Sequence, residues 1–500
     1  MKLSDGDGDG DGDGDGDGDG DGDGDGGKTR HDRNGKGVKI GPVNSSEKMT
    51  HGETVLNYEL TPFPMSLFKD GLMQKPTEAV LRNALLTEKA DVDPNALHVL
   101  DGGALLHKVR WSTSVTYREV CDLYVNHIKS KYGIGTIVFD GYMDGPSTKD
   151  HEHARRSLNK RRCADVQCDL STKVNLKQDA FLSSITNKSR LIDMLSTYLI
   201  KSGNKVIKCD KDADTEIVRC ALYVAETGRK VNVVADDTDV ALLLLYHWSE
   251  SMEEITFTSE RSKATFNITS SLLKIPAQIK SYLLVLHAWT GCDTTSAIHS
   301  KGKNSLLRKL KTSQHLRSLM DILSDKNADQ VEVGAAGIEL FLYMYGGNRT
   351  LTKLRYYKFM DMAAKGEILP ENLPPTERAA VQHGLRVHQQ VLVWQTLNDV
   401  HLDPLQWGWK QVGPTFIPIQ TDSDVAPSEL MKFIRCNCKS LNNMCKTMIC
   451  TCKRYGLKCV AACGKCRGEI CENAETTATE TVNEDDIDND GNIFDILDEM

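Results

Sequence analysis

The sequence lacks long apolar segments and, at its start, the pattern of a secretory leader. Its 500 residues include no apolar run close to the roughly eighteen residues that cross a bilayer as a helix. The first ten residues, MKLSDGDGDG, lack the apolar core of a signal peptide. The 14 histidines form no H-x3-H or H-E-x-x-H pattern, so we expect no histidine metal site. We therefore expect an intracellular protein without a membrane partner.

Both ends of the chain are acidic and poor in apolar residues. Residues 5–26 are a DG repeat with eleven Asp, and residues 472–500 contain eleven Asp and Glu. We expect disorder over residues 1–50 and 475–500, since neither segment can form a core. The whole chain has a net charge of −9, but residues 27–471 alone carry +12. A basic body between acidic ends is compatible with a nucleic-acid partner.

Short apolar runs alternate with helix-like segments from about residue 95. ALHVLD, GTIVFD, NKVIKCD and KVNVVAD have the pattern of strands, and amphipathic stretches separate them. This alternation predicts an α/β fold with a parallel sheet flanked by helices. EITFTS and ATFNIT then predict a hairpin, and residues 279–400 have a helical pattern.

Seven aspartates lie at the ends of these predicted elements. Four follow strands, two open the helix after KVIKCD, and one follows an apolar helix in HAWTGCDTTSAI: Asp101, Asp140, Asp237, Asp239, Asp212, Asp214 and Asp293. The carboxyl ends of parallel strands share one edge of a sheet, where active sites assemble. Within VVADDTD, we expect Asp236 to be turned away from that edge.

So many carboxylates in one place require a compensating cation, because buried charge is costly unless it is paired or bound to metal. Mg²⁺ and Mn²⁺ prefer oxygen ligands. Two such ions roughly 3.5–4 Å apart activate water and stabilise the leaving oxygen of a phosphodiester. A single Asp after a strand is usually a turn or N-cap residue, but seven at corresponding ends fit that interpretation less well.

The motifs VLDGGALLHKV, IVFDG, DAD, VVADDTD and GCDTTSAI, in this order, resemble those of the flap endonuclease (XPG-type, PIN-like) nuclease family over about residues 95–320. The resemblance implies a PIN-like 5′-nuclease sheet and two Mg²⁺ or Mn²⁺ ions. It implies one metal at Asp101, Asp140, Asp212 and Asp214, and the other at Asp237, Asp239 and Asp293. The sequence departs from the family in having Asp instead of Glu in the DAD pair and about ninety residues before the first motif.

A basic helix candidate, TKDHEHARRSLNKRR, follows IVFDG. In the family, a Lys and an Arg seven residues apart on such a helix contact the scissile phosphate, and Lys149 and Arg156 match that spacing. The resemblance implies a catalytic role for this pair and nucleic-acid contacts from Arg155, Arg161 and Arg162. A helix with this charge pattern is also compatible with a solvated surface.

Nine of the fifteen cysteines lie within residues 436–471. They are Cys436, Cys438, Cys445, Cys450, Cys452, Cys459, Cys463, Cys466 and Cys471. In a reducing compartment such a cluster favours metal over disulfides. Three tetrahedral zinc ions need twelve ligand positions, which nine thiolates supply if three of them bridge. The spacing resembles the tesmin/TSO1-type CXC domain over about residues 434–473.

The CXC resemblance implies binding to DNA, with phosphate contacts from Lys453 and Arg454. The family's groove-inserting Tyr is replaced by Ile449 in this sequence, and Tyr455 lies beyond the second C-x-C pair. Zinc binding and DNA binding are therefore separate expectations, and the second is left open here.

The sequence predicts a nuclease domain at 51–325, a helical extension and linker at 326–430, and a zinc domain at 431–474. Our leading hypothesis is a metal-dependent nuclease acting on structured DNA, with a zinc module for docking on DNA or chromatin in the nucleus. One alternative is a non-catalytic DNA- or chromatin-binding adaptor on a nuclease-like fold, derived from a mobile element. Another is a PIN-type ribonuclease with the same metal site. The sequence has no element that reads a 2′-hydroxyl, so a comparison of RNA and DNA substrates would separate the two nucleases.

Overall fold

The structure, a computed structural model, describes residues 51–473 apart from several gaps. The gaps are at 78, 142–144, 158–162, 211, 398–401, 432–434, 437, 439–444, 460–462, 464–465 and 467–470. The DG repeat, the acidic tail, Arg161 and Arg162 lie outside the described residues.

A six-stranded sheet forms the centre of the described structure. Its strands are β3 (Leu97–Asp101), β4 (Gly135–Phe139), β5 (Lys205–Lys208), β6 (Val231–Val234), β7 (Ile255–Ser259) and β8 (Ala264–Asn267). They are arranged in the order β5-β4-β3-β6-β7-β8, and only β8 is antiparallel to its neighbour. The predicted α/β fold with a mainly parallel sheet is therefore confirmed, as is the β7–β8 hairpin.

The described residues also form two hairpins outside the central sheet. They are formed by β1 (Phe68–Lys69) with β2 (Leu72–Met73), and by β9 (Trp409–Val412) with β10 (Thr415–Pro418).

Helices fill most of the remaining described chain. Up to the end of the sheet they are α1 (His51–Val55), α2 (Ala79–Leu85), α3 (Gly102–Lys108), α4 (Tyr117–Tyr132), α5 (Asp150–Ser157), α6 (Gln178–Phe181), α7 (Ile185–Lys201), α8 (Asp214–Glu226), α9 (Thr238–His247) and α10 (Ile268–Leu273). Beyond it they are α11 (Ala277–Lys280), α12 (Leu283–Trp289), α13 (Lys303–Thr312), α14 (Gln314–Ser324), α15 (Gln330–Tyr345), α16 (Leu351–Ala364), α17 (Glu377–Thr396), α18 (Ser428–Met431) and α19 (Thr451–Arg454). Short 3₁₀ helices occur at Pro370–Asn372 and Pro404–Gln406. No helix among the described residues is both long enough and apolar enough to cross a membrane.

Side chains on the two faces of the sheet enter two apolar cores, because successive residues of a strand point to opposite sides. In β3, Val99 joins a core that includes α8 and α9, and Leu100 joins one that includes α4 and α7. The first core continues into α15 and α17, where the Trp289 ring lies 4.8 Å from that of Phe341 and 4.9 Å from that of His383. The helices after residue 325 thus pack on the same core as the sheet.

The order of strands reverses direction at β3. The chain adds β4 and β5 on one side of β3, then returns to add β6 and β7 on the other. At such a switch point the connections leave on opposite faces, and a crevice opens beyond the carboxyl ends of the two central strands. β3 and β6 border this crevice, so the segments that follow them hold the residues best placed to form a site.

One of the amphipathic stretches between β4 and β5 forms two helices. The amphipathic pattern of residues 179–203 runs on without a break, but α6 ends at Phe181 and α7 begins at Ile185. The hydroxyl of Ser184 accepts a hydrogen bond from the Asn187 amide and caps α7. The pattern SSITN contains an N-cap signal within the apolar periodicity. Because Ser184 acts as the cap, a new helix starts there and the periodicity does not continue as one helix.

Candidate active site

Asp101 ends β3 and begins the next helix. Its carboxylate accepts a hydrogen bond from the Ala104 amide at 3.1 Å and so caps α3. A Cβ at Gly103 would lie 3.1 Å from Asp101 Oδ1 and 3.3 Å from Asp140 Oδ2. Because Gly103 has no side chain, the carboxylates of Asp101 and Asp140, from two neighbouring parallel strands, can lie close together.

Asp140 follows β4 and ties the next two acids to the sheet edge. Its Oδ1 accepts a hydrogen bond from the amide of Ala213 at 3.2 Å. Ala213 stands between Asp212 and Asp214 and is the N-cap residue of α8. The ammonium of Lys188 lies 4.0 Å from Asp140 Oδ2. The DAD segment is thus held beside the carboxyl end of β4.

Lys149 brings positive charge to the DAD pair. Its ammonium lies 2.7 Å from Asp212 Oδ2 and 3.4 Å from Asp214 Oδ2. Burial opposes this charge, but Asp212, Asp214 and Asp293 raise the pKa of Lys149 well above its usual value. Burial by itself would raise the pKa of Asp212, but the neighbouring Lys149 ammonium holds that pKa below its usual range. Burial and the charge of Asp212 raise the pKa of Asp214.

Asp237 and Asp239 open α9 on the other side of the crevice. Asp237 is the N-cap residue, and its Oδ1 accepts a hydrogen bond from the Asp239 amide at 2.8 Å. Burial and the charge of Asp239 raise the pKa of Asp237 to about 8. Burial and the charge of Asp293 raise the pKa of Asp239 to about 7.

Asp293 lies in the turn after α12. Gly291 has a φ of +106°, and a Cβ there would lie 2.7 Å from the Ala297 amide nitrogen, so the GCD turn requires glycine. The turn brings Asp293 close enough for its charge to raise the pKa of Asp237 and of Asp239.

The seven predicted acids form one electrostatic group. The charges of Asp140 and Asp237 reinforce burial in raising the pKa of Asp101 to about 7, and the charges of Asp237 and Asp239 act on Asp214. The charges that open α9 therefore raise the pKa values of carboxyl groups at the end of β3 and the start of α8. Within the described part of the chain, no three carboxylates have oxygens all within 4.8 Å of one another.

The chemistry of this group fits hard divalent cations. Its potential ligands are all carboxylate oxygens, which Mg²⁺ and Mn²⁺ prefer. The raised pKa values of Asp101, Asp237 and Asp239 mean that like charges are held together in a poorly solvated place. Added positive charge would relieve that repulsion.

Asp236 faces away from the group, as its sequence context predicted. Its Oδ1 accepts hydrogen bonds from the Ser259 hydroxyl at 2.7 Å and from the Arg261 amide at 2.9 Å. It therefore anchors the turn of the β7–β8 hairpin, and its carboxylate is a structural one.

Besides Lys188, two further residues that the sequence analysis did not identify belong to this site. His287 Nε2 lies 2.6 Å from Asp239 Oδ1, and Lys303 Nζ lies 2.9 Å from His287 Nδ1. Both side chains are buried, His287 at 1% and Lys303 at 4% relative exposure. The signal in the sequence is a histidine inside the apolar run YLLVLHAW, where it belongs to no H-x3-H or H-E-x-x-H motif.

The basic residues of α5 are described only in part. Arg155 makes a two-point ion pair with Glu152 at 2.6 and 2.5 Å, so its guanidinium is engaged on its own helix. Arg155 also lines a cavity of about 390 Å³ together with Lys69 and Lys75. The side chain of Arg156 lies outside the described residues, as do Arg161 and Arg162.

The cysteine-rich segment gathers thiols into three overlapping groups. In each group, four sulfur atoms lie within 4.8 Å of one another: Cys436, Cys438, Cys445 and Cys450; Cys436, Cys445, Cys459 and Cys466; and Cys436, Cys452, Cys459 and Cys463. None of these nine cysteines forms a disulfide in the described part of the chain, and Cys471 is in none of the groups. Sets of four thiols at this separation are compatible with zinc, and Cys436 is shared by all three.

Among the described basic residues of this segment, Lys453 and Arg454 lie on α19. Lys453 Nζ donates to the carbonyl of Lys446 at 2.8 Å, and Arg454 Nε donates to the carbonyl of Met448 at 3.0 Å. Ile449, at the position of the family's Tyr, is 80% exposed, and Tyr455 is 41% exposed. An apolar and an aromatic side chain are therefore presented beside the basic ones.

No protein-family model and no curated protein sequence matches this chain. Solved structures with a similar chain trace include a mutant of the T5 5′-exonuclease, at 12% identity and a TM-score of 0.33, covering 61% of this chain and 90% of that one. The catalytic core of Rad2 in complex with DNA substrate matches at 17% identity and a TM-score of 0.31, covering 65% and 84%. The T5 5′-exonuclease with bound zinc matches at 12% identity and a TM-score of 0.29, covering 58% and 99%. The identities and TM-scores are low, so the assignment of function depends on the arrangement of the carboxylates.

Proposed function

We propose that this protein is a metal-dependent nuclease that hydrolyses phosphodiester bonds in structured DNA. The observation that carries the proposal is the convergence of seven aspartates from five chain segments on the crevice at the strand-order reversal. Ordinary capping explains one or two of them, but it does not explain why like charges are kept together in a half-buried crevice.

Each half of the site has its own set of carboxylates. Asp101, Asp140, Asp212 and Asp214 would hold one ion, and Asp237, Asp239 and Asp293 the other. When bound, two Mg²⁺ or Mn²⁺ ions would supply an activated water and stabilise the leaving oxygen of the phosphodiester.

Lys149 would bind the substrate. Its ammonium lies among the carboxylates, 2.7 Å from Asp212, and this position supports a role in binding a phosphate oxygen of the substrate. Arg156 is proposed as its partner from the spacing in the sequence alone. Together they would orient the phosphate, which is the main task of protein side chains in phosphate-ester cleavage.

The cysteine-rich segment is proposed to bind three zinc ions through nine thiolates and to dock the protein on DNA or chromatin in the nucleus. The overlapping groups around Cys436 support bridging thiolates. The exposed Arg454, Tyr455 and Ile449 support a contact surface for a nucleic acid.

The test is cleavage of labelled branched, single-stranded and duplex DNA by the purified full chain, with and without Mn²⁺. RNA of the same sequences is run in parallel. We expect Mn²⁺-dependent cleavage of DNA, abolished by Asp237→Asn combined with Asp239→Asn. Asp236→Asn is the matched control, because this neighbouring acid binds Ser259 and Arg261 instead, and it should leave cleavage intact.

Three results would overturn the proposal or change it. Cleavage that survives the double substitution would show that these carboxylates are not the active site. Cleavage of RNA alone would favour the ribonuclease. DNA binding without cleavage in any divalent metal, lost when zinc is removed, would favour the adaptor.

A further inference from the structure

A chain of three buried side chains leads from the candidate site into the helical part of the protein. Asp239 Oδ1 is 2.6 Å from His287 Nε2, and His287 Nδ1 is 2.9 Å from Lys303 Nζ. The three residues come from α9, α12 and α13. Burial of an ammonium and an imidazole is costly, so their retention here calls for a reason beyond filling space.

The hydrogen bonds assign one tautomer to His287. A lysine ammonium can only donate, so Nδ1 of His287 accepts from Lys303. The ring proton of the neutral imidazole is then on Nε2, which donates to the Asp239 carboxylate. Lys303 therefore determines that His287 presents a donor to Asp239.

The same ammonium also holds the turn that carries Asp293. Lys303 Nζ donates to the Gly291 carbonyl at 2.7 Å and to the Thr290 hydroxyl at 3.2 Å. Gly291 is two residues before Asp293, in the turn whose φ only glycine adopts easily. The buried ammonium of Lys303 thus acts on two carboxylates. It holds His287, which contacts Asp239, and it holds the Thr290–Gly291 segment of the turn that carries Asp293.

The imidazole is also fixed on its face. Trp394 of α17 stacks on His287 with ring centroids 5.4 Å apart and planes 15° apart. The ring can therefore neither flip nor tilt without displacing a buried tryptophan. A side chain held at both nitrogens and one face can fix the direction of the carboxylate that it contacts.

We propose that His287 and Lys303 are positioning residues that orient Asp239 and the Asp293 turn for the second metal ion. His287 occupies one oxygen of Asp239, so the other oxygen remains for the metal. This rests on the proposed function, because it assumes that Asp239 and Asp293 bind metal. Hydrogen-bonded partners behind metal ligands typically contribute about 10–100-fold in metal affinity.

The test measures Mn²⁺ binding to the zinc-loaded full chain by electron paramagnetic resonance, which needs no activity. His287→Leu removes both ring nitrogens, whereas His287→Gln keeps a donor near the position of Nε2. We expect Mn²⁺ affinity to fall about 10–100-fold in the Leu variant and less in the Gln variant. Lys303→Met, which leaves His287 in place but frees its tautomer, should weaken Mn²⁺ binding by a comparable factor.

Matched controls separate positioning from general loss of packing. His388 is also buried, hydrogen-bonds only the Leu323 carbonyl among the described contacts, and packs on Trp407 at 4.7 Å, so His388→Gln is the counterpart of His287→Gln. Lys309 lies on the same helix as Lys303 but contacts the Met344 carbonyl and the Tyr343 ring, so Lys309→Met is the second control. Both controls should keep wild-type Mn²⁺ affinity.

The outcomes distinguish this inference from the proposed function. If the wild-type chain binds no Mn²⁺, the proposed function fails. If the wild type binds Mn²⁺ and the His287 and Lys303 variants bind it equally well, the positioning role is wrong. If the His287 variants do not fold, Lys303→Met decides alone, and unchanged affinity in it would refute the proposal.

Discussion

The ammonium of Lys149 lies 2.7 Å from Asp212 and 3.4 Å from Asp214, at the centre of the acidic group. Together with Lys188 beside Asp140, it offsets part of the negative charge of the cluster in the absence of metal. A metal ion would compete with the Lys149 ammonium for the carboxylates, whereas a substrate phosphate would bind the ammonium itself. We therefore expect Lys149 to oppose metal binding and to favour substrate binding.

Lys149→Met should separate metal binding from catalysis. Removing a competing positive charge should leave Mn²⁺ affinity unchanged or raise it, since the metal then meets no ammonium on Asp212 and Asp214. Cleavage should fall by about 100-fold or more, because a preorganised cation for the phosphate is lost. Mn²⁺ titration and single-turnover cleavage of the same preparation measure both. A parallel fall in affinity and cleavage would argue against this role.

The same substitution should destabilise the metal-free protein. Breaking a buried ion pair costs about 3–5 kcal/mol, and the partial exposure of Lys149 reduces this to about 2–3 kcal/mol. The control is Lys208→Met, because Lys208 is also 2.7 Å from an acid, Asp193, but both side chains are at least half exposed. That pair should contribute only about 0–1 kcal/mol. Urea denaturation of both variants makes the comparison, and equal losses would contradict it.

The metal-free protein should become less stable as the pH rises. The pKa values of Asp101 and Asp239 are raised to about 7, and that of Asp237 to about 8, from 3.8. Between about pH 4 and pH 8 the folded state therefore binds protons that the unfolded state has lost, and the free energy of unfolding falls with increasing pH. Thermal melts in a buffer free of Mg²⁺ and Mn²⁺ should give a lower Tm at about pH 8.5 than at about pH 6.

Mn²⁺ should remove this pH dependence, since the metal binds the deprotonated carboxylates. Replacing Asp237 and Asp239 by Asn should flatten the metal-free profile as well. A Tm that rises from pH 6 to pH 8.5 without metal would show that these acids are not held protonated.

Gly103→Ala should weaken metal binding with little effect on stability. An added methyl group lies 3.1 Å from Asp101 and 3.3 Å from Asp140, so one carboxylate must shift by a few tenths of an ångström. Alanine is favoured over glycine in a helix by about 0.5–1 kcal/mol, which offsets the crowding. Mn²⁺ affinity should fall about 10-fold.

The control for this variant is Gly52→Ala in α1, where the new methyl would meet only the Tyr356 ring at 3.4 Å. Its Mn²⁺ affinity should match the wild type. A Gly103→Ala chain with wild-type affinity would show that the spacing of Asp101 and Asp140 is not critical.

Zinc content should depend more on Cys436 than on Cys471. Cys436 belongs to three groups of four thiols, whereas Cys471 belongs to none. Native mass spectrometry should show three zinc ions in the wild type, a larger loss in Cys436→Ser and a smaller one in Cys471→Ser. Equal losses would contradict a shared, bridging Cys436.

The aspartates could be found from the sequence because each is next to a recognisable element. Asp101 and Asp140 follow short apolar runs, and parallel strands bring their ends together whatever the details of packing. Asp236 could be separated from Asp237 because only one of two adjacent residues after a strand can point into the crevice.

The bracing of Asp239 could not be predicted. His287 and Lys303 are 48 and 64 residues away in sequence, and a single polar residue in an apolar helix does not indicate its partner. Lys149 was predicted as a phosphate contact from its spacing, but its ion pair with Asp212 depends on where the turn before α5 places the ammonium, which no local pattern encodes. The grouping of the cysteines likewise depends on three-dimensional proximity that spacing alone leaves open.

The central claim is that the seven carboxylates bind two metal ions, and anomalous diffraction from crystals of the full chain soaked in Mn²⁺ tests it most directly. We predict two manganese peaks, one among Asp101, Asp140, Asp212 and Asp214 and one among Asp237, Asp239 and Asp293. The Lys149 ammonium should have left Asp212. A map without peaks in the crevice, with Lys149 still paired to Asp212, would contradict the account.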